Sequence, residues 1–398
     1  MQAMPSFEPD KIQSATNETP REINRRILLN LVRLRQEVSR ADLARLTGLQ
    51  RSTVSLITEE LIEERWLMEG PPQRLPRGRH PRHVSLNTQR SIIGIDLRPT
   101  VTTVALADLH GKLLWRETFP TASEPLTAIA EMTTRLQALM QAHPDAVFDG
   151  IGVSLPGRAS LTTEHLVFTP NLRWPAFDLK SPLEQATGLS VQIENAANIC
   201  VLAEVWFGAW DRVRDLAIVT VSEGIGSGLY ANGQLVRGGS GMAGEFGHVT
   251  LDPEGPLCPC GRQGCWEVYA SQGAGLRYYR ELAGRDAPDF ARLLTLAGEG
   301  DAHALAAFAK MADYLARGMC MIVGGFAPEM IIVIGEVTRA WHLFEPVLQA
   351  QTARQSLSGP PPRILPGGDG NTTRLRGTVA LVLQKHFGVS PLLFSSQV

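Results

Sequence analysis

Residues 244 to 271 read GEFGHVTLDPEGPLCPCGRQGCWEVYAS, and they hold three of the chain's five cysteines within eight positions. With His248 the spacing is H-x9-C-x-C-x4-C, ending at Cys258, Cys260 and Cys265. Three thiolates and one imidazole make a complete tetrahedral set for a divalent ion such as Zn2+. Four protein ligands leave no position for an activated water, so the expected role is a structural zinc that pins a Gly- and Pro-rich loop. A disulfide and three free core thiols are the alternatives. A bridge from Cys258 to Cys260 would be strained by its short spacing. Cys200 and Cys320 lie in apolar helical stretches and are expected to be ordinary buried residues.

Outward from this loop, the chain has 398 residues and 44% hydrophobic content, enough for a large core divided among two or three domains. No apolar run reaches the length of a membrane span, and residues 1–20 lack the basic start and apolar centre of a secretory signal. They read as a polar, disordered tail on a cytoplasmic protein that does not insert into membranes.

The net charge of -2 is unevenly distributed, because residues 21–90 hold fourteen basic and eight acidic side chains. A basic block of this kind marks a polyanion-binding module. Within it, REINRRILLNLVRLR (21–35) sets Ile23, Ile27, Leu28, Leu31 and Leu34 at helical spacing with arginines opposite. SRADLARLTG follows as a short helix from the N-cap candidate Ser39 to the C-cap candidate Gly48. LQRSTVSLITEELIEERWLME predicts a third helix, with Val54, Ile57, Leu61 and Ile62 inward and Gln50, Arg51, Ser52, Thr53 and Ser55 facing out at its start. Two short helices around a Gly turn, the second opening on small polar and basic residues, is the layout of a helix-turn-helix whose recognition helix meets DNA. RLPRGRHPRHVSLN then sets Arg77 and Arg79 at an R-G-R-x-P tip before a strand through Val84 and Leu86, which resembles a wing suited to a narrow minor groove.

From Ser91 the pattern changes to a β-meander, a helix over about 126–141, the strand GIGVSLPG, a strand and hairpin through DLAIVTVSEGIGSGLYANGQLV, the strand EMIIVIGEV, and a final helix in TRLRGTVALVLQKHFG. Alternating elements with Gly-rich loops at strand ends imply an α/β body with a ligand cleft between lobes.

GIDLRPT, GVSLPG, IENAANICVLAE, VSEGIGSGLYANGQLVRGGSGMAGEFGH and the cysteine cluster together resemble the ROK family, which joins sugar kinases and sugar-responsive transcriptional regulators. The resemblance runs from about residue 21 to the end. It implies a two-lobed actin/hexokinase-like (ribonuclease H-like) α/β body after the winged helix-turn-helix, with the DNA-binding domain at 21–87, a small lobe at 91–198 plus 375–398, and a large lobe with the zinc loop at 199–374. An N-terminal helix-turn-helix marks the regulator branch.

Phosphoryl transfer to a sugar hydroxyl needs a carboxylate base, glycine turns open to phosphates, and a metal ion. The family's kinases carry that base as the Asp of E-N-D-A-N, and here the matching residue is Ala196. Their first phosphate turn, D-x-G-G-T, is matched by Asp96-Leu97-Arg98-Pro99-Thr100, and the second, G-T-G-I-G, acquires Glu223. The Gly-Gly pair near adenosine is matched by Gly335-Glu336. The expectation is therefore a regulator with no kinase activity, the alternative being an ATP-dependent sugar kinase with an appended DNA-binding domain.

By the same resemblance, Asn195, Glu245, His248 and Glu267 would hold the sugar over a floor at Pro156-Gly157. His248 is then wanted twice, by metal and by sugar, and its two ring nitrogens allow both. An effector bearing a phosphate would present it to Arg98. Operator DNA, a sugar or sugar phosphate and a second copy of the chain are the expected partners, since one winged helix reads few base pairs; a dimer is expected, and a tetramer is compatible.

Overall fold

The computed structural model describes residues 20–72, 82–159, 166–169, 171–172, 174–208, 210, 213–239, 241–356 and 359–388. They form two compact units that divide between Asn87 and Thr88.

The first unit runs α1 (Pro20–Arg35), β1 (Val38–Ser39), α2 (Arg40–Thr47), α3 (Arg51–Glu63), β2 (Leu67–Pro72) and β3 (Arg82–Leu86). Helix α2 starts where the Ser39 hydroxyl accepts from the Asp42 N–H, and it ends at Gly48 in the left-handed region. Strands β2 and β3 pair antiparallel and β1 adds to the outer side of β3. Leu28, Leu29, Val32, Leu43, Val54, Ile57 and Leu61 close the core.

Two expectations fail here. Ile23 and Leu34 are 44% and 48% exposed, while Leu29 and Val32 are buried and Arg33 is 8% exposed. The buried stripe of α1 is therefore rotated, and it takes in an arginine, whose long stem can lie along apolar surface. The third helix also stops at Glu63, because Arg65 takes a positive φ of 61° and reverses the chain into β2. The arginine-rich tip with Arg77 and Arg79 lies outside the described residues.

The second unit contains two five-stranded sheets of the same topology. The first holds β4 (Arg90–Leu97), β5 (Val101–Asp108), β6 (Leu113–Pro120), then after α4 (Pro125–Ala142) β7 (Val147–Leu155), and, past the small pair β8 (Arg158–Ala159) and β9 (Leu166–Phe168) and helix α5 (Lys180–Thr187), β10 (Val191–Asn195). Its order is β10-β7-β4-β5-β6, with β4, β5 and β6 antiparallel and β7 and β10 parallel to β4.

Helix α6 (Ala196–Phe207) leads to the second sheet, made of β11 (Leu216–Val221), β12 (Ile225–Ala231) and β13 (Gln234–Val236). Helices α7 (Glu267–Ala270), α8 (Gln272–Ala283), α9 (Phe290–Gly298) and α10 (Ala302–Phe326) intervene before β14 (Met330–Ile334), α11 (Trp341–Gln355) and β15 (Arg363–Pro366). The order β13-β12-β11-β14-β15 repeats the first sheet, antiparallel over three strands and parallel over the rest. Strands β4, β11 and β14 are buried at every position; β14 is an all-apolar run covered on both faces, while β4 also buries Arg90, Ser91 and Asp96 and β11 buries Thr220.

The last helix, α12 (Gly370–Phe387), returns to the first sheet and packs on α6, β4 and β7. This repeated α/β layout is the two-lobed arrangement expected from the sequence. Among the described residues no helix is long and apolar enough to cross a membrane.

Candidate functional site

The cysteine loop is built from backbone bonds that fold it back on itself. Leu251 N donates to Gly264 O at 2.7 Å, Cys258 N to Arg262 O at 2.7 Å and Trp266 N to Val249 O at 2.9 Å. Trp266 anchors it: the ring is fully buried, its Nε1 donates to Tyr314 O at 2.9 Å, and α10 makes room with Gly318, where a Cβ would lie 1.8 Å from the indole.

The ligand atoms of His248, Cys258, Cys260 and Cys265 all lie within 4.8 Å of one another. Cys258 Sγ is 3.7 Å from His248 Nδ1, and Cys260 Sγ is 3.7 Å from Cys265 Sγ. Tetrahedral zinc, with Zn–S near 2.3 Å and Zn–N near 2.0–2.1 Å, requires about 3.6 Å for S···N and about 3.8 Å for S···S. The residues therefore fit a four-coordinate soft cation. Burial pushes the Cys258 and Cys265 thiols up and the His248 imidazole down. The lowered imidazole is the neutral form a metal needs, and a divalent charge would offset the cost of thiolates. Cys200 is fully buried in α6 and burial pushes its thiol up to about 12, but Cys320 is only half-buried, contrary to expectation, because its face of α10 is incompletely covered.

The same loop walls one side of a cleft between the two sheets, about 770 Å³ counted to its open mouth. His248 sits in a 3-10 turn, Glu245–His248, with Nδ1 toward Cys258 and Nε2 4.0 Å from Glu245 Oε2. The two nitrogens thus face the thiols and the cleft separately. Burial pushes the Glu245 carboxyl up, against the pull of Arg158 and Arg262. Glu267 is 5% exposed, its Oε2 accepts from Ile225 N at 3.0 Å, and its Oε1 lies 3.6 Å from Cys258 Sγ. It joins the cysteine loop to the β11–β12 turn, a link that sequence spacing could not supply.

Asn195 also lines the cleft, yet much of its side chain is committed to the fold. Its Oδ1 caps α6 by accepting from Ala197 N at 2.8 Å and Asn198 N at 3.4 Å, and its Nδ2 donates to Gly157 O at 2.7 Å. Sequence reasoning missed both roles; an Asn before a helical run was the available signal for the cap, and nothing local signals the bond to the floor. Ala196 lines the cleft beside it, presenting only a methyl.

The two turns matched to phosphate binding meet across the cleft. Arg98, just after β4, pairs with Glu223 of the β11–β12 turn and donates from Nη1 to Asn371 Oδ1 at 2.8 Å. Burial pushes the Glu223 carboxyl up, but Arg98 and a backbone N–H outweigh it and hold the group below its ordinary range. Below them Arg374 donates to both oxygens of buried Asp96 at 2.9 and 2.8 Å and to Asn371 at 2.8 Å. Arg98 therefore already has a carboxylate partner where a phosphate was expected. Sequence reasoning missed Arg374, Asn371 and the cleft-lining Asn171. An arginine beside the apolar stripe Leu375, Val379 and Leu383 was the available signal for the first.

In the first unit, α3 exposes Gln50, Arg51 and Ser52 at its start, with Thr53 and Ser55 half-buried. Gln50 holds the N-cap position without a side-chain cap bond.

A family model described as ROK family matches residues 92–385. The chain belongs to the ROK family. The xylose repressor of Bacillus subtilis strain 168 is 30% identical to this ROK chain over 378 residues, spanning 92% of it and 96% of the repressor. Among solved structures, a ROK family transcriptional regulator, a homologue of the E. coli MLC protein, shares its fold with a TM-score of 0.80 at 22% identity, over 94% of this chain and 98% of that one. A ROK family glucokinase from Streptomyces griseus, in complex with glucose and AMPPNP, aligns with a TM-score of 0.66 at 26% identity, over 73% of this chain and 98% of its own. The repressor thus matches almost end to end, while the glucokinase accounts for nearly its whole length within three quarters of this chain.

Proposed function

We propose that this ROK protein is a sugar-responsive, DNA-binding transcriptional repressor of carbohydrate metabolism without kinase activity. The observation that carries the reading is Ala196, a methyl lining the cleft at the position where the family's kinases hold their base. Loss of a positioned general base costs about 10²- to 10⁴-fold in rate. The Arg98–Glu223 pair in the phosphate turns adds a carboxylate where nucleotide phosphates would need donors.

The α2–turn–α3 segment with the β2–β3 hairpin has the order of a winged helix-turn-helix, and the start of α3, Gln50 to Ser55, is the surface for base and phosphate contacts, with Arg77 and Arg79 assigned to the wing. The effector site is the cleft wall made by Glu245, His248 and Glu267 with Asn195 over Pro156-Gly157. Paired carboxylates and amides suit vicinal hydroxyls and discriminate against analogues that lack them. A zinc ion held by His248, Cys258, Cys260 and Cys265 would fix this wall. Reduced thiols suit a cytoplasmic protein. Two copies on a pseudo-palindromic operator, their spacing set by lobe closure, would turn differential sugar affinity into a DNA response.

A thermal-shift screen against sugars, sugar phosphates and ATP with magnesium tests the reading, because a ligand specific to the folded state raises the melting temperature. Stabilisation by a sugar and none by ATP is expected, with Glu245→Ala abolishing the shift. Arg51→Ala should weaken operator binding at least tenfold and leave the sugar shift intact. Stabilisation by ATP that grows with sugar present would favour the kinase alternative.

A further inference from the structure

The two sheets of the second unit each carry their own apolar cluster, and the two clusters share no residue. Helices α6 and α12 join the sheets by packing on each other, α6 against β11 and β12 and α12 against β4 and β7, and polar ties add to that packing. One such tie, Glu194 to Arg237 at 2.8 Å, runs from the end of β10 to the segment after β13, outside the cleft lining. A second lines the cleft: Arg98, just after β4, and Glu223 between β11 and β12, with side chains 21% and 31% exposed.

Both ends of this second tie are held rigidly. Arg98 is steadied by Asn371 at the start of α12, and Asn371 by Arg374, which is itself fixed on Asp96. The Glu223 turn is closed by Ser222 N to Gly224 O at 3.0 Å, pinned to α8 by Gln272 N to Ser222 O at 3.0 Å, and pinned to the cysteine loop by Glu267. Gly224 fits closely there, since a Cβ would lie 2.3 Å from Glu267 Oε2 and the carboxylate would have to move off its Ile225 N–H. A continuous path thus runs from the cysteine loop through Glu267, the turn, Glu223 and Arg98 to the first sheet. A partly buried pair between preorganised groups loses little side-chain entropy on forming, unlike a typical surface pair.

We propose that the Arg98–Glu223 ion pair is a built-in clasp that fastens one lobe to the other across the effector cleft, taking the bridging place that the family resemblance gives to nucleotide phosphates. Lobe closure is then set by the effector and an internal counter-ion, and no nucleotide is needed. The inference rests on the reading of the cleft as an effector site, and its test separates the two.

Hydrogen exchange of the full-length protein without ligand is measured at residues 222–226 and 98–101 in the wild type, Glu223→Gln, Arg98→Gln and the swapped pair Arg98→Glu/Glu223→Arg. Each single variant should exchange about tenfold faster at both segments, and the swap should return toward the wild type. Affinity for the sugar that stabilises the wild type should fall about tenfold in the singles and recover in the swap. Unchanged exchange in both singles, or a swap no slower than either, overturns the clasp. If no sugar stabilises the wild type, the effector-site reading fails, and the exchange data still decide the clasp. Should a single variant not fold, wild-type exchange at the same two segments is followed as salt is raised from about 0.05 to about 0.5 M, where screening must loosen a partly exposed pair. Faster exchange then supports the clasp, and unchanged exchange overturns it.

Discussion

Asp96 stands where the family's kinases begin their first phosphate turn, and its role here can be measured as stability. Its side chain is 2% exposed and that of Arg374 is 7%, with both carboxylate oxygens within 2.9 Å of the guanidinium. Burial pushes Arg374 down, and Asp96, with Cys200 and Glu223, more than offsets this. Asp96→Ala would leave the guanidinium buried with Asn371 as a neutral partner, and breaking a buried pair in this way costs about 3–5 kcal/mol. At an m-value of about 3 kcal/mol per M, the urea midpoint of the ROK body should fall by about 1–1.7 M. Removing the charge as well, in Asp96→Ala/Arg374→Met, should recover more than half of that loss, because no uncompensated ion remains. The assay is urea unfolding followed by circular dichroism. A single variant that loses under about 1 kcal/mol, or a double variant no more stable than the single, would refute the reasoning.

The other expectations follow the same geometry. Cys260→Ser removes one of four clustered ligands, so zinc measured by mass spectrometry after a mild chelator should drop from near one per chain to a small fraction; full retention would argue against the ligand set. Asn195→Ala loses the α6 cap and the Gly157 bond, at about 1 kcal/mol each, whereas Asn195→Ser keeps the cap oxygen. Melting temperatures should fall by about 4 °C and about 2 °C respectively, and equal losses would contradict the double role. Burial raises Asp149 from 3.8 to about 6 in spite of Arg90. Folding therefore favours its protonated form, a contribution fully present below pH 3.8 and lost as pH rises through about 6. Asp149→Asn should flatten the stability profile across that window, and an unchanged slope would show that the shift is absent.

The cysteine spacing, the α2 caps Ser39 and Gly48, and strands β4 to β7, β11 to β14 and helices α4 and α12 of the body were legible because each signal is local. Metal-ligand spacing, turn chemistry and hydrophobic period are written within a few residues of one another. The substitution of Ala196 was legible too, since a missing carboxylate needs no coordinates to be missed. Which stripe of α1 is buried was not, because that depends on what packs against it; periodicity fixed the helix but not the rotation that exposes Ile23 and Leu34 and buries Arg33.

Chemistry in the cleft belongs to tertiary structure for the same reason. Arg98 and Glu223 are separated by 125 positions, and Arg374 and Asp96 by 278. No local pattern pairs them; only the repeated sheet topology, and the return of α12 to the first sheet, brings them together. The double duty of His248 was conceivable from its two nitrogens, but which one faces the thiols was decided by the 3-10 turn that orients the ring. The sequence by itself determined the family, the local clustering of His248, Cys258, Cys260 and Cys265, and the alanine at position 196. The fold decided which charges neutralise one another, because electrostatic partnership depends on distance in space and on burial, neither of which is a property of neighbouring residues.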